Sequence, residues 1–313
     1  MFKGFHLGSG DNALTSKFGS FGVANTSSYI KPGKIRGLLV GPSGCGKTTL
    51  LSGNPAMLIA NLDTSSLPKA RTDAKPPAAQ FFPFMDEEGR PCGPDLKPIK
   101  LDYDSLLRLE ESLIEASIKN QPRPETVSYD SLTSWLNILR TATLKHFNRD
   151  EWSEGRGDAM WEWLYQRMNN TMENYRNAGY GFWLTAHVSP TMAVEGDGKN
   201  NKVIGWSFNA PPGFFKRFYG TFEMAIELSR FTSSTTENKK VPVVMSNGST
   251  VMIDKLVTSE KTEFILTGDD PIKKDIVKRR FPFPKTLMLP DEGGWQVFES
   301  EYLKYANPTG SSK

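Results

Sequence analysis

From Gly41 to Thr48 the chain reads Gly-Pro-Ser-Gly-Cys-Gly-Lys-Thr: a glycine, four residues, then Gly-Lys-Thr. That spacing suits the grip on a polyphosphate. Glycines at 41, 44 and 46 let consecutive backbone N–H groups turn inward onto phosphate oxygens. Lys47 adds a compact positive charge for the outer phosphates, and the Thr48 hydroxyl can ligate Mg²⁺. Pro42, Ser43 and Cys45 fill the loop. Thr49 opens a helix whose positive dipole end would face the same anion. A glycine turn with no ligand is the plainer reading, and the flanks weigh against it. Lys34–Val40 reads as a strand and Thr49-Leu50-Leu51 as a helix start, the order a phosphate loop requires.

Three further residues stand where strands should end. Asp130 closes the extended run Glu125–Tyr129, where phosphoryl transfer needs a carboxylate to hold Mg²⁺ opposite the loop hydroxyl. The same Asp-Ser-Leu-Thr is also good helix-capping chemistry. Asp63 follows the apolar run Ala56–Leu62 and is a candidate general base for an attacking water, or a turn residue. His187 follows Trp183–Ala186, at the edge where ligands collect in parallel sheets. It can sense the terminal phosphate or simply be satisfied structurally.

The elements that must position these groups alternate. Helical spacing runs through Leu106, Leu109, Leu113 and Ala116 in a helix predicted over 101–120, with Asp104 as its cap. Pro122 and Pro124 end it. A helix over 132–146, a polar loop over 148–158 and a helix over 159–177 follow. The last has Trp161, Leu164, Tyr165, Met168 and Met172 on one face. Strands alternating with helices predict an α/β fold with a mostly parallel sheet and helices on both faces. After residue 188 the pattern changes: 195–202 reads as a hairpin tip. Val241–Val257 and Glu263–Thr267 read as short antiparallel strands added at the C-terminal edge. The expected organisation is an irregular extension over 1–33 and a core over 34–270 with a Pro-rich surface insert at 64–100. A basic strand and tail over 271–313 would pack on that core.

The chain has 313 residues, 38% hydrophobic and 23% charged, so it can bury a sizeable core. A net charge of +3 means that any nucleic-acid contact must come from a local patch. No apolar run approaches the ~20 residues of a membrane span, no secretory signal is evident, and no membrane partner is expected. Of the two cysteines one lies inside the phosphate loop, which suits a reducing cytoplasm better than a disulfide. The three histidines are far apart in sequence, with no zinc-ligand spacing.

The loop Gly41–Thr49, the segment Tyr129-Asp130-Ser131-Leu132-Thr133 and Leu184-Thr185-Ala186-His187 come in an order that resembles the AAA-type phage nucleotide-binding proteins. These are shortened RecA-like ATPases used in single-strand annealing and recombination. Val277-Lys278-Arg279-Arg280, followed by Leu287-Met288-Leu289-Pro290, is similar to that family's C-terminal ending, so the resemblance covers residues 34–300. It implies a RecA-like P-loop NTPase core that binds ATP and Mg²⁺. Lys47 and Thr48 would lie on phosphate and metal, Asp130 would complete the metal site, and His187 would take the sensor position. The chain departs from the family pattern where the strand after the loop helix ends Asn61-Leu62-Asp63-Thr64 rather than in Asp-x-Glu, and in its longer insert.

RecA-like proteins hold single strands with two loops near the oligomer axis, which here fall at 148–158 and after His187. The second region mixes cations (Lys199, Lys202, Lys216, Arg217) with Trp206, Phe208, Phe214, Phe215, Phe218 and Tyr219. That mixture suits stacking on single-stranded DNA, and equally core aromatics beside solvated lysines. Lys278, Arg279 and Arg280 are candidates for a cation acting on a neighbouring subunit's nucleotide, with a nucleic-acid patch or a solvated strand end as rivals. The expected function is a Mg²⁺-dependent ATPase acting on single-stranded DNA as a homo-oligomer. It would work in the cytoplasm of an infected bacterial host, with a phage single-strand-binding protein as a further partner. A small-molecule NTP-dependent kinase and a non-hydrolysing nucleotide switch are the alternatives.

Overall fold

Strands covered on both faces are buried along their whole length, and three segments behave this way. Arg36–Gly41 (β1), Met57–Asn61 (β2) and Thr126–Asp130 (β6) are buried at nearly every position. The computed structural model describes residues 32–63, 79–85, 91–92, 99–152, 157–194, 201–208, 214, 217–244, 250–267, 284, 286–290 and 293–306. In chain order, β1 leads through the glycine loop to Lys47–Ser52 (α1) and then β2. Three short strands follow, Gln80–Phe82 (β3), Phe84–Met85 (β4) and Pro91–Cys92 (β5). Tyr103–Ile118 (α2) precedes β6, and Leu132–His146 (α3) and Gly157–Asn177 (α4) follow it. Gly181–Val194 (β7), Asn201–Phe208 (β8), Met224–Val244 (β9), Thr250–Thr267 (β10), Thr286–Pro290 (β11) and Gly294–Ala306 (α5) complete the series.

Nine strands form one sheet in the order β11-β10-β9-β1-β7-β6-β2-β3, with β8 paired to β7 off that path. The six strands β9, β1, β7, β6, β2 and β3 are mutually parallel; β10 and β11 extend the β9 edge by antiparallel pairing. The fold is therefore α/β, with a doubly covered parallel sheet of the kind seen in Rossmann and P-loop proteins.

Apolar residues of β1, β6 and β7 pack on one face against Leu106, Leu113, Trp135, Leu139, Leu164 and Met168 of α2, α3 and α4. The opposite face is covered by Leu50 and Leu51 of α1 and by Trp295, Phe298 and Tyr302 of α5. Trp183 of β7 meets both Trp295 and Phe298 edge-on, at 5.8 and 5.9 Å. Arg36 ties the start of β1 to α4 through Glu173 at 2.7 Å.

Several expectations need correction. The cap of α2 is Asp102, not Asp104: it has extended backbone, it accepts from the Ser105 N–H, and Ser105 accepts from its N–H in return. Strand β7 does not end at His187 but continues seven residues to Val194 and returns as β8. The late strands are not short additions. The first residues of β9, Met224–Glu227, pair in parallel with β1, Glu263–Thr267 of β10 also pair with β11, and the rest of β9 and β10 forms a long two-stranded ribbon. The 64–100 segment contributes β3 to the sheet edge beside β2. The C-terminal stretch contains, besides β11, an amphipathic helix that the sequence analysis does not anticipate; Trp295, Phe298 and Tyr302 recur on its buried face. Among the described residues, no helix is long and apolar enough to cross a membrane.

Candidate functional site

The glycine loop leaves β1 at Gly41, and space explains the residue type there. A Cβ on Gly41 would stand 2.4 Å from the Leu228 carbonyl oxygen on β9 and 2.7 Å from Cys45 Sγ. Gly44 and Gly46 have φ of +75° and +96°, the left-handed region that side chains disfavour. Between them Cys45 is buried, while Ser43, Gly44 and Thr49 are exposed. Pro42 and Thr48 are half-buried. Helix α1 has only six residues, so the loop N–H groups, rather than a long macrodipole, are the donors on offer.

Asp130 lies at the end of β6, 5% exposed, and its carboxylate is held by two hydroxyls. Thr48 donates to Oδ2, and Thr185, on the neighbouring strand β7, donates to Oδ1 at 2.5 Å. The capping reading fails here: the cap position of α3 belongs to Ser131, which makes no side-chain cap bond. The Asp130 carbonyl in turn accepts from the Leu62 and Asp63 N–H groups at 2.6 and 3.1 Å, which fixes Asp63 beside it.

Lys47 is 4% exposed and folded back onto its own loop. Its Nζ donates to the Gly41 and Pro42 carbonyls at 3.0 and 2.8 Å and lies 3.3 Å from Nδ1 of His187. Burial holds the ammonium below its ordinary value, while the charges of Cys45 and Asp130 push it back up. Burial, with the Lys47 charge second, lowers the His187 imidazole; Asp130 and Asp63 oppose that. Burial raises the Cys45 thiol against the pull of Lys47, so this cysteine is not an activated nucleophile. The Lys47 ammonium and the Thr48 and Thr185 hydroxyls are donors that anionic oxygens could claim.

The structure therefore gathers Lys47, Thr48, Asp130, Thr185 and His187, with Asp63 in electrostatic reach of His187. Thr185 enters only as a hydroxyl inside an apolar strand. Glu227 also escapes the sequence reading. It is 2% exposed, stands opposite Val40 on β9, and its charge reaches Cys45. A carboxylate within Met224-Ala225-Ile226-Glu227-Leu228 is the signal that could have found it.

Elsewhere the expected contacts separate. Phe214 and Phe218 are buried, stacked on each other at 5.1 Å, and belong to the core rather than to an open stacking platform. Arg217 pairs with Glu162 at 2.5 Å and lies over the Tyr165 ring. Lys202 is placed on β8 opposite Ala193. Lys199, Lys216, Lys278, Arg279 and Arg280 lie outside the described residues, as does 153–156 of the polar loop.

The donor set fits a magnesium–triphosphate. A hydroxyl and a carboxylate converge beside a lysine and a glycine-lined turn, and Mg²⁺ needs only one or two protein oxygens beside those of phosphate and water. Among the described residues, no group of three or more His, Cys, Asp or Glu side chains is placed to hold a metal ion. The chain matches no family model, and no curated protein matches it.

Proposed function

We propose that the chain is a Mg²⁺-dependent ATPase with a RecA-like P-loop core, acting on single-stranded DNA in phage recombination or annealing as an oligomer. The observation that carries the nucleotide part is the shared Asp130 carboxylate, bonded by the loop hydroxyl Thr48 and by Thr185 two residues before His187. A loop that merely turned the chain would not require a lysine 4% exposed, or a buried carboxylate that takes a hydroxyl on each oxygen. The parallel order β9-β1-β7-β6-β2 supports it as well. It puts the glycine loop at the carboxyl end of a central strand, the edge at which ligands collect in open parallel sheets.

In this reading the loop N–H groups and Lys47 bind and orient the phosphates, while Thr48 and Asp130 hold the metal. Mg²⁺, when bound, neutralises charge on the phosphate oxygens. His187, released from Lys47, is free to face the terminal phosphate, and Asp63 is the carboxylate placed to orient water. The DNA part rests on the resemblance of the three motifs, and its test is direct. Turnover of wild type with and without single-stranded DNA should rise with DNA and vanish in Lys47→Ala. Turnover indifferent to DNA, with no DNA binding at low salt, would remove the recombination role and leave the nucleotide site standing.

A further inference from the structure

Helices α2, α3 and α4 carry none of the side chains gathered at the glycine loop, yet they enclose a cavity of ≈620 Å³. That volume is within the range of small-ligand sites. It opens between the start of α2, the later turns of α3 and the earlier turns of α4. Its far wall, at His146, stands about 21 Å along α3 from the helix start at Leu132, at 1.5 Å per residue. The cavity is therefore a second site rather than a wall of the first.

Planar groups line it. The His146 imidazole stacks on the Trp163 indole, with ring centres 4.8 Å apart and planes 20° from parallel. The Tyr103 ring lies 6.1 Å from the same indole. The Arg167 guanidinium sits over both aromatics, 5.3 Å from Trp163 and 6.0 Å from Tyr103. Trp163 is half-buried and His146 exposed, so the stack ends at the surface, where another flat ring can extend it. Phe214 and Phe218 behave otherwise: they stack on each other but are buried.

Charge decides what that ring should carry. Lys145 and Arg167 line the cavity, are exposed and make no ion pair among the described residues. Two carboxylates oppose them. Asp102 is already committed: its Oδ1 accepts from the Ser105 N–H, and its Oδ2 lies 4.0 Å from Lys100 Nζ. Asp104 remains, so two cations stand against one carboxylate. The Tyr103 hydroxyl is buried without a hydrogen-bond partner, an unmet demand of the kind a ligand satisfies. A flat ring face beside uncommitted cations suits a nucleotide, which needs a surface for its base and positive charge for its phosphate.

We propose that the α2–α3–α4 groove binds a nucleotide unit, its base extending the His146–Trp163 stack and its phosphate held by Lys145 and Arg167. The unit can be one residue of a single strand or a free nucleoside monophosphate, since the chemistry is shared. As part of a strand it rests on the DNA part of the reading above. It then moves the contact away from Arg217, which is paired with Glu162.

The probes are 5-iodo-deoxyuridine monophosphate and a thymidine oligonucleotide bearing one 5-iodouracil. Each is irradiated with the wild-type protein, and the cross-linked peptides are read by mass spectrometry. Cross-links should map to His146, Trp163 or Tyr103. Affinity for the bound probe should fall roughly 10- to 100-fold in His146→Ala and Arg167→Glu. Asp104→Asn should bind more tightly than wild type. All three positions are exposed, and unchanged circular dichroism and ATP binding would show that the variants are folded. For the oligonucleotide, Lys145→Ala should lower the salt slope of binding by about one. Groove cross-links from the oligonucleotide would support the strand as the source, and groove cross-links from the monophosphate alone would support the free nucleotide. Cross-links that map outside the groove, no cross-link from either probe, or unchanged affinity in His146→Ala and Arg167→Glu would overturn the proposal. Oligonucleotide binding that survives those variants would leave the DNA reading standing without the groove. A wild type that binds no oligonucleotide but cross-links the monophosphate in the groove would remove the DNA reading and keep the groove.

Discussion

Thr48 donates its hydroxyl hydrogen to Asp130 Oδ2 across 82 positions of sequence, while Thr185 occupies the other oxygen of the same carboxylate. The loop helix and strand β7 thereby meet at the one carboxylate that closes β6. The carboxylate is held in place by these two hydroxyls, an orientation that would lower the cost of assembling the proposed metal site.

That geometry separates two substitutions. Thr185→Val keeps the volume but strips Oδ1 of its donor in a buried place, which should cost about 1–3 kcal/mol of folding stability. Asp130→Asn keeps an acceptor for Thr185 and should be milder in denaturant unfolding. In nucleotide binding the order reverses: Asp130→Asn should lose the Mg²⁺-dependent part of affinity, and Thr185→Val should only weaken it. Equal Mg²⁺ dependence in both variants and wild type would remove Asp130 from the metal site.

Lys47 supplies the charge. Hydrogen bonds to charged groups contribute about 1.5–3 kcal/mol, so Lys47→Ala should weaken ATP binding by roughly 10- to 100-fold. Lys47→Arg should not restore it, because a planar guanidinium cannot take the place of a compact ammonium between the Gly41 and Pro42 carbonyls. Titration calorimetry on the three proteins gives the comparison.

His187 sets a pH dependence whose sign is determined. Its folded-state pKa is lowered from 6.5 by burial and by Lys47, so the unfolded chain binds its proton more readily. Stability is therefore full above 6.5 and declines as pH falls below it. His187→Gln should flatten that acid limb in urea melts taken across the range. Bound phosphates add negative charge and raise the imidazole again, so ATP binding near neutral pH should take up protons. Calorimetry in buffers of different ionisation enthalpy reads that uptake, and proton release would contradict the placement of His187 beside the phosphates.

Two loop glycines should respond differently. At Gly41 an added methyl meets the Leu228 backbone oxygen at 2.4 Å, so Gly41→Ala must part β1 from β9 and should cost about 1–3 kcal/mol or more. At Gly44 nothing lies within 4 Å, so Gly44→Ala bears only the left-handed backbone cost of about 1–2 kcal/mol. Thermal unfolding should rank Gly41→Ala below Gly44→Ala.

Much of this was legible because the signals are local. The glycine loop, the strands β1, β2 and β6, and the 132–146 helix all follow from residue types and spacing within a few residues. Asp130 was legible by position, although only the fold shows that its carboxylate turns to Thr48 rather than capping α3. Thr185 and Glu227 were not, since one hydroxyl or carboxylate in an apolar strand gains meaning only from what the neighbouring strand brings beside it. The β9–β10 ribbon hid for another reason. Its Ser/Thr/Lys-rich middle lacks the alternation that marks a half-buried strand, and among the described residues that middle pairs only within the ribbon. Helix α5 hid behind the basic Val277–Arg280 run, although Trp295, Phe298 and Tyr302 carry its spacing.

The central claim is that the glycine loop and Asp130 form one Mg²⁺–triphosphate site. The most direct test is equilibrium binding of a fluorescent ATP analogue, with and without Mg²⁺, to wild type, Lys47→Ala and Asp130→Asn. Wild type should bind more tightly with Mg²⁺, Lys47→Ala should lose most binding in both conditions, and Asp130→Asn should bind alike in both. No binding by folded wild type, or the same Mg²⁺-enhanced affinity in all three proteins, would contradict it.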